Sequence, residues 1–448
     1  MTPPRGRVAL LNLGCPKNQV DGEILLARLR AAGWEPVTDP AAADVLVVNT
    51  CTFIDPARRE SVEALLEAAA WKEERPGRRI VAAGCMVQAH AAELAREIGE
   101  IDVLVGLDEL LAVDEKLAAD RPRLPAPGPA RRLYGADVPR LRVSPPWTAW
   151  VKVAEGCDQA CAFCSIPSFR GRQRSRTVED VVEELRRLAD EGVLEANLVA
   201  QDSTGFGRDR GEADGLARLV RRIGGARGLP RWVRVHYLYP GRISPALLEA
   251  LAEAERIVEY VDLPLQHAHP AVLRRMRRPG TPDAFRRQLE ALGEALPGAG
   301  VRTAFIVGYP GETEDEFETL VDFVSEGWFD VVGVFPYSRE EGTAAAELAD
   351  DVPAAVKRER AARLAEIADA AAWERNRARI GQELEVLVEG PAADDREQPA
   401  GRWRGQAPEV DGRVVLDPAA VPPAPGTIVR ARITGVTGPH ELRAAVVG

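Results

Sequence analysis

The chain has 448 residues, of which 46% are hydrophobic and 28% are charged, and its formal net charge at pH 7 is −11. This composition is typical of a folded globular protein, and it excludes a collagen-like, coiled-coil or mostly disordered chain. The acidic balance also argues against broad electrostatic capture of nucleic acid. At about 150 residues per domain, the length predicts about three domains.

The sequence predicts neither a membrane-spanning segment nor a secretory signal. No stretch approaches the ~18 consecutive apolar residues that a transmembrane helix needs. The N-terminal apolar run, residues 8–14, contains Asn12 and is short for a signal peptide. We therefore expect a cytoplasmic protein with no membrane partner. In that reducing compartment, the six cysteines of a large chain are more often metal ligands or redox groups than disulfides.

Residues 5–120 predict a small α/β domain with a parallel sheet. Short apolar strands at 7–13, 45–50, 80–84 and 102–106 alternate with helical patterns at 20–32, 57–71 and 88–98. Three cysteines each follow a different strand: Cys15, Cys51 and Cys85. Because parallel strands end at the same edge of a sheet, we expect their thiols to converge there. Three buried small apolar residues are the alternative interpretation.

A proline-rich linker over 121–142 leads into a second domain, 143–373. Strands are predicted at 150–154, 197–201, 232–238, 258–263, 302–307 and 330–335, and helices at 177–191, 213–223, 245–256, 281–295 and 313–326. Thr177 with Asp180 and Thr313 with Glu316 are helix-start signals. Six strand–helix units predict a parallel sheet curled into a partial (β/α)6 barrel, with ligand sites at the carboxyl ends of its strands.

The first barrel strand leads into three closely spaced cysteines, Cys157, Cys161 and Cys164. Three thiolates can bind three irons of one [4Fe–4S] cube and leave the fourth iron open for a substrate or cosubstrate. A structural zinc site is the alternative. Zinc takes four ligands, however, and the next histidine along the chain is His236.

Further polar residues lie where this barrel is expected to bind a ligand. Gln201 and Asp202 end the second predicted barrel strand, where side chains often contact a cofactor, and strand capping is the alternative. Four arginines alternate after the third clustered cysteine, at positions 170, 172, 174 and 176. They form either a solvated basic stretch or a site for a carboxylate of the cofactor or substrate.

Residues 376–448 form a third region of different character. Strands at 384–388, 414–416, 428–433 and 442–447, separated by Gly/Pro turns, predict a small antiparallel β-barrel. From Glu383 to Gly448 there are ten acidic and seven basic residues, a net charge of −3. A phosphate-binding surface is expected to be basic. The acidic barrel therefore favours a basic protein partner, such as a ribosomal protein.

The spacing of Cys157, Cys161 and Cys164, with Phe163 before the last cysteine, resembles the signature of the radical S-adenosylmethionine (SAM) superfamily. The resemblance implies that SAM binds the open iron and that Phe163 lies near its adenine. Nearly the whole chain is similar to the methylthiotransferase family, through motifs at 13–18, 49–52, 83–85, 156–158, 163–176, 262–267 and 305–313. That family implies two [4Fe–4S] clusters, an auxiliary one on Cys15, Cys51 and Cys85 and a SAM-binding one on the other three cysteines.

Within this family, the Cys15-Pro-Lys-Asn18 form resembles the RimO branch. This implies transfer of a methylthio group to the β-carbon of an aspartate in small-subunit ribosomal protein twelve, with a flavodoxin- or ferredoxin-type reductant. The C-terminal barrel resembles a TRAM domain, which binds RNA in relatives. A MiaB-like tRNA adenosine methylthiotransferase is the alternative, although tRNA is not the expected partner. A zinc-stabilised, RNA-associated protein without catalysis is a third hypothesis.

Overall fold

The computed structural model describes residues 5–119, 123–392, 398–418 and 421–447. The predicted boundary between residues 120 and 121 and the predicted end at 448 lie outside the described residues, and the other predicted domain boundaries stay predictions. Among the helices of the described residues, none combines the length and the apolar character that crossing a bilayer requires.

The N-terminal region is a parallel sheet covered by helices, as predicted. Its strands are β1 (Gly6–Asn12), β2 (Trp34–Pro36), β3 (Val45–Thr50), β4 (Arg79–Gly84) and β5 (Val103–Val105), and its helices are α1 (Pro16–Ala31), α2 (Asp55–Glu73), α3 (Cys85–Glu97) and α4 (Val113–Leu117). The spatial order is β2-β1-β3-β4-β5. The sequence prediction missed β2, since its three residues include a glutamate and a proline.

The described part of the predicted linker, residues 123–142, contains neither helix nor strand and is bonded to both neighbouring domains. The backbone N–H groups of Arg131 and Arg132 donate to the carboxylate of Asp108. On the other side, the N–H of Ala130 donates to the carbonyl of Phe169 at 2.8 Å. This segment therefore packs along both domains and is not a free spacer.

The central region contains six parallel strands that lead into helical segments, and two short antiparallel strands that lie between the first and the second of them in the chain. In chain order the strands are β6 (Thr148–Lys152), β7 (Ala154–Glu155), β8 (Arg174–Ser175), β9 (Glu195–Val199), β10 (Trp232–Val235), β11 (Tyr260–Asp262), β12 (Gly300–Val307) and β13 (Val331–Pro336). The helices are α5 (Ile166–Phe169), α6 (Val178–Asp190), α7 (Gly215–Gly224), α8 (Pro245–Glu253), α9 (Pro270–Arg275), α10 (Pro282–Ala295), α11 (Glu314–Ser325) and α12 (Ala354–Arg377). Both predicted helix starts are present, with Thr177 capping α6 and Thr313 forming a capping box with Glu316 at α11.

The six strands form two three-stranded parallel sheets, β10-β9-β6 and β11-β12-β13. A single parallel bridge between Val233 and Ile257 continues the first sheet. One large apolar core lies between the strands and the helices around them, from Ala149 to Ala368. The predicted partial barrel is therefore confirmed. The short antiparallel hairpin of β7 and β8 lies outside it and flanks the cysteine-rich loop.

The C-terminal region is a closed five-stranded barrel in the order β14-β15-β16-β18-β17. Its strands are β14 (Glu383–Pro391), β15 (Pro399–Trp403), β16 (Arg413–Leu416), β17 (Ile428–Gly438) and β18 (Glu441–Val446). Four pairings are antiparallel, but β16 pairs with β18 in parallel. In a closed ring with an odd number of strands, neighbouring strands cannot all run in opposite directions. The predicted antiparallel barrel therefore contains one parallel pair. The sequence prediction missed β15, because its Pro and Gly residues have low strand propensity and its Arg interrupts the apolar pattern.

Candidate active site

The three dispersed cysteines lie at one edge of the N-terminal sheet. The adjacent strands β1, β3 and β4 are followed by Cys15, Cys51 and Cys85, respectively. Cys15 is the residue just before helix α1, and Cys85 is the first residue of α3. Gly14 makes the close approach possible, because it has a φ of +83° and a Cβ there would lie 2.8 Å from the Cys51 Sγ. The sheet therefore places the three cysteines at the ends of adjacent strands along one edge.

Asn18 fixes the loops that carry two of these cysteines. Its buried side-chain amide donates to the carbonyls of Leu13 at 2.8 Å, Asn49 at 3.3 Å and Thr50 at 3.2 Å. These carbonyls precede Cys15 and Cys51 along the chain. Asn18, the last residue of the Cys-Pro-Lys-Asn motif, therefore holds the segments before Cys15 and Cys51 together at the edge of the sheet.

The three thiols differ in their electrostatic surroundings. Burial raises the pKa of the Cys15 thiol, but Lys17, Arg170 and the backbone N–H groups of α1 outweigh it and leave that pKa below its ordinary value. Burial raises the pKa of Cys51 and brings that of Cys85 to about 12, although Arg170 opposes both shifts. These buried thiols therefore need a nearby cation to favour the thiolate form in which cysteine binds a metal.

Arg170 supplies that cation and joins the two domains. Its Nε and Nη2 donate to the Cys85 Sγ at 3.3 and 3.0 Å. The same guanidinium bonds to Glu155 at 2.8 Å and to Asp21 of α1 at 3.0 Å. Both carboxylates also pair with Lys152, and all four charged side chains are buried. We call these four residues, Asp21, Lys152, Glu155 and Arg170, the buried charge cluster.

The arginine run matches neither sequence interpretation as a whole. Arg170 and Arg176 are buried and neutralised inside the protein, the latter by Asp180 and Glu184. The side chain of Arg172 is 89% exposed. The bend of the chain at Arg172, just before β8, therefore exposes this arginine, while Arg170 and Arg176 on either side of it stay buried, which composition alone could not show.

The clustered cysteines lie on the loop between β7 and α5, and all three are partly exposed. The backbone N–H of Gln159 donates to the Cys157 Sγ at 3.4 Å, and Nη1 of Arg278 lies 3.7 Å from the Cys161 Sγ. Burial raises the pKa values of Cys157 and Cys164 to about 12. The loop follows the first barrel strand, at the end of the barrel where this architecture binds ligands.

The other predicted site residues lie around the same loop. Phe163 is half-buried against an apolar cluster that includes Met276 and Tyr309. Gln201 donates to Glu155 at 2.8 Å, and its buried Oε1 has no hydrogen-bond partner among the described residues. Asp202 accepts a 2.6 Å bond from the side chain of Gln159, which belongs to the cysteine loop. Gln201 thus contacts the buried charge cluster, and Asp202 contacts the loop.

Within the described residues, no three His, Cys, Asp or Glu side chains are grouped as they would be around a single metal ion. Two sets of three thiols with cationic neighbours nevertheless fit thiolate-bound iron–sulfur clusters, whose irons each take a different protein ligand. The anionic thiolates would be balanced by Arg170 and Lys17 at the first set and by Arg278 at the second. The donor set is therefore suited to two such groups.

Three family models match the chain. The Radical SAM superfamily matches residues 151–324, the uncharacterized protein family UPF0004 matches 7–106, and the TRAM domain matches 380–447. Relatives from Sorangium cellulosum and Anaeromyxobacter sp. (strain K) are each 47% identical over 96% of this chain, covering 88% and 91% of their own lengths. A relative from Desulforudis audaxviator is 44% identical over 98% of this chain and 97% of its own.

All three relatives are named ribosomal protein uS12 methylthiotransferase RimO. The chain belongs to the RimO family. Membership in the RimO family and the radical SAM superfamily implies SAM and [4Fe–4S] clusters as cofactors. These relatives support the ribosomal-protein interpretation and not the tRNA alternative.

A solved structure confirms the fold of this RimO-family chain. The radical SAM methyltransferase TsrM from Kitasatospora setae, with cobalamin and a [4Fe–4S] cluster bound, superposes with a TM-score of 0.54. The match covers 76% of each chain at 16% identity. At that identity the likeness concerns the fold alone.

Sequence reasoning missed the partners that join the two cysteine sets in this RimO-family protein. Asp21 lies in a helix, six residues after Cys15, and Lys152 lies in an apolar strand, five residues before Cys157, but no sequence motif indicates that the two side chains meet. The only available signal was a charged residue in an otherwise buried element, which usually requires a partner of opposite charge. Which partner it has depends on the packing of the two domains.

Proposed function

We propose that this protein is a radical SAM methylthiotransferase that adds a methylthio group to the β-carbon of an aspartate in small-subunit ribosomal protein uS12 (protein twelve). One observation carries the proposal. The guanidinium of Arg170, which follows the clustered cysteines in the chain, bonds to the sulfur of Cys85 in the dispersed set. The segment that follows the clustered cysteines therefore contacts a cysteine of the dispersed set directly, which supports a reaction that uses both proposed cluster sites.

The proposal assigns a role to each region of the chain. Residues 5–120 hold the auxiliary cluster on Cys15, Cys51 and Cys85, and the segment 121–142 links them to the radical SAM core, 143–373. In that core, Cys157, Cys161 and Cys164 hold the SAM-binding cluster, and Phe163, Gln201 and Asp202 contact SAM. Residues 376–448 form the TRAM domain.

When bound, the clusters and SAM supply the radical and sulfur chemistry that opens an unactivated C–H bond. The chain's own residues prepare the site for it. Arg170 and Lys152 neutralise the carboxylates of Glu155 and Asp21, so that the domain interface stays closed. Phe163 and the apolar residues around it keep water away from the cysteine loop.

The proposed reaction also defines the partners. The C-terminal barrel carries a net negative charge in sequence, which suits a basic ribosomal protein. A flavodoxin- or ferredoxin-type protein supplies the electron, and the enzyme works in the cytoplasm, where uS12 is made.

Mass spectrometry of uS12 from cells with and without the gene tests this function. We expect one aspartate-containing peptide to lose a methylthio group in the deletion strain, and the wild-type gene to restore it. Complementation with Cys161→Ala, which removes one proposed cluster ligand, is expected to leave the peptide unmodified. An unchanged peptide in the deletion strain, together with a lost methylthio group in its tRNA, would establish the tRNA alternative instead.

A further inference from the structure

One lysine beside the dispersed cysteines, Lys17, has no carboxylate partner among the described residues. The chain has five lysines, all within the described residues. Four of them form carboxylate ion pairs: Lys72 with Asp102, Lys116 with Glu109, Lys152 with Asp21 and Glu155, and Lys357 with Asp350. Among the described residues, Lys17 forms no ion pair and its ammonium donates no hydrogen bond. It is nevertheless only 8% exposed.

Burial lowers the pKa of Lys17, but Tyr237, Cys15 and Glu155 outweigh it and leave that pKa above its ordinary value. Lys17 lies in the first turn of the 16-residue helix α1, which contains no acidic residue in that turn. A cation there opposes the helix dipole, whose N-terminus attracts anions. Glu155, a carboxylate that acts on Lys17 electrostatically, is already bonded to Lys152, Arg170 and Gln201. Among the described residues, no carboxylate is therefore free to pair with Lys17.

The contact that Lys17 does make directs it toward the barrel. Its Nζ lies 3.9 Å from the ring centroid of Tyr237, just after β10. Such a cation–π contact is worth only about 0.5–2 kcal/mol, which offsets a small part of the cost of burying an ammonium. Tyr237 itself has a φ of +59°, a strained backbone conformation for a residue other than glycine. Strain of this kind is concentrated at functional sites.

We infer that Lys17 is a substrate-binding residue whose ammonium binds the side-chain carboxylate of the target aspartate. This inference rests on the proposed function. The carboxylate carbon of aspartate is bonded directly to the β-carbon, so a fixed carboxylate also fixes the C–H bond that reacts. Lys17 lies between Cys15 and the end of the barrel, where the target carbon must meet both sets of cysteines. SAM also carries a carboxylate, but its proposed site is at the clustered cysteines.

The test compares two peptides with the target loop of uS12, one with the native aspartate and one with asparagine in its place. Binding of each fluorescently labelled peptide to the cluster-loaded enzyme with SAM is measured by anisotropy. We expect the wild type to bind the aspartate peptide roughly tenfold more tightly, as for a lost charge-assisted hydrogen bond. Lys17→Met is expected to abolish this preference, and Lys17→Arg is expected to retain part of it.

Controls separate substrate binding from other roles. Lys72→Met makes the same change at a lysine far from the cysteines in sequence and is expected to keep the full preference. Lys17→Met is expected to retain the iron and sulfide content and the SAM affinity of the wild type. Its melting temperature is not expected to fall, because the substitution removes a buried ammonium that forms no ion pair with a carboxylate of the described residues.

The outcomes distinguish this inference from the proposed function. If the wild type modifies the aspartate peptide but Lys17→Met keeps the preference, the inference is wrong and the function stands. Loss of iron or of SAM affinity in Lys17→Met would assign the lysine to the cluster or the cofactor and also overturn the inference. If the wild type neither binds nor modifies the aspartate peptide, the proposed function fails, and the inference fails with it.

Discussion

The single side chain of Arg170 interacts with one cysteine of the site and with two buried carboxylates. A guanidinium has five N–H donors in a rigid plane and stays charged at any accessible pH. Arg170 donates to the sulfur of Cys85 and to the carboxylates of Asp21 and Glu155, and all three groups are buried. Hydrogen bonds to a cluster sulfur stabilise its reduced, more negative state and so raise the reduction potential.

Loss of the hydrogen bonds that Arg170 donates to Cys85 is expected to lower the reduction potential of the proposed auxiliary cluster. We predict that Arg170→Gln lowers its midpoint potential by about 50–100 mV, the one-electron equivalent of a lost charge-assisted hydrogen bond. The measurement is a redox titration followed by electron paramagnetic resonance, with Cys157, Cys161 and Cys164 replaced by Ala so that one cluster remains.

Arg172→Gln is the matched control, because this side chain is on the same segment but exposed. It is expected to leave the potential unchanged, and Arg170→Lys is expected to give an intermediate value. An unaltered potential in Arg170→Gln at full iron content would show that the contact with Cys85 has no electronic role.

At the scale of elements, the clustered cysteines depend on the turn that precedes them. Gly156 links β7 to Cys157 with a φ of +78°, and a Cβ there would overlap the carbonyl oxygen of Arg172. The hairpin of β7 and β8 can close over the cysteine loop only because this position has no side chain. The loop and the hairpin therefore form one structural unit.

Gly156→Ala is expected to displace Cys157 and to prevent assembly of the SAM-binding cluster, while the auxiliary cluster still forms. Iron and sulfide analysis would then give about half the content of the wild type. Gly192→Ala is the matched control. Gly192 has a φ of +88°, but nothing lies within 4 Å of its Cβ position, so this variant bears the backbone strain without the overlap. Equal cluster content in the two variants would contradict the prediction.

At the scale of the whole molecule, buried ion pairs fix the C-terminal barrel to the central one. Arg402 of β15 pairs with Glu195 of β9 at 2.5 Å, and Arg234 of β10 pairs with the same carboxylate at 2.9 Å. Burial raises the pKa of Glu195, but the two guanidinium groups outweigh it and lower that pKa to about 2. The position of the C-terminal barrel is therefore specified by charge as well as by packing.

We predict that Arg402→Met destabilises the protein by about 3–5 kcal/mol, because it leaves the buried carboxylate of Glu195 with only one of its two guanidinium partners. The contribution of Glu195 is complete above its ordinary pKa of 4.5 and is lost as the pH falls toward about 2, since its folded pKa is depressed. Melting temperatures between pH 7 and pH 2.5 are expected to show this acid dependence in the wild type and less of it in Arg402→Met.

The control for this prediction is Arg430→Met, which removes an exposed partner of Glu383 on the same barrel. Surface pairs contribute little, so its melting curve is expected to follow that of the wild type. If Arg402→Met melted as the wild type does at neutral pH, packing and not charge would hold the barrel in place.

Local features allowed much of this molecule to be predicted. Apolar periodicity predicted the parallel strands of the N-terminal and central regions other than β2, and the starts of α6 and α11 follow from Thr177 and Thr313 within a few residues. The cysteine spacing and the motifs around it indicated the family. The strands β2 and β15 were missed, because short segments with Glu, Pro, Gly or Arg have no periodic signal and are held by their neighbours.

The sequence by itself determined the elements, the two sets of three cysteines and the family, since each depends on residues close together in the chain or on order along it. Only the tertiary structure decided which charges neutralise each other. Asp21 meets Arg170 and Glu195 meets Arg402 across domain interfaces. Lys17 meets the ring of Tyr237 and no carboxylate of the described residues. Electrostatic pairing depends on distance in space, and residues far apart in sequence acquire that distance only when the domains pack.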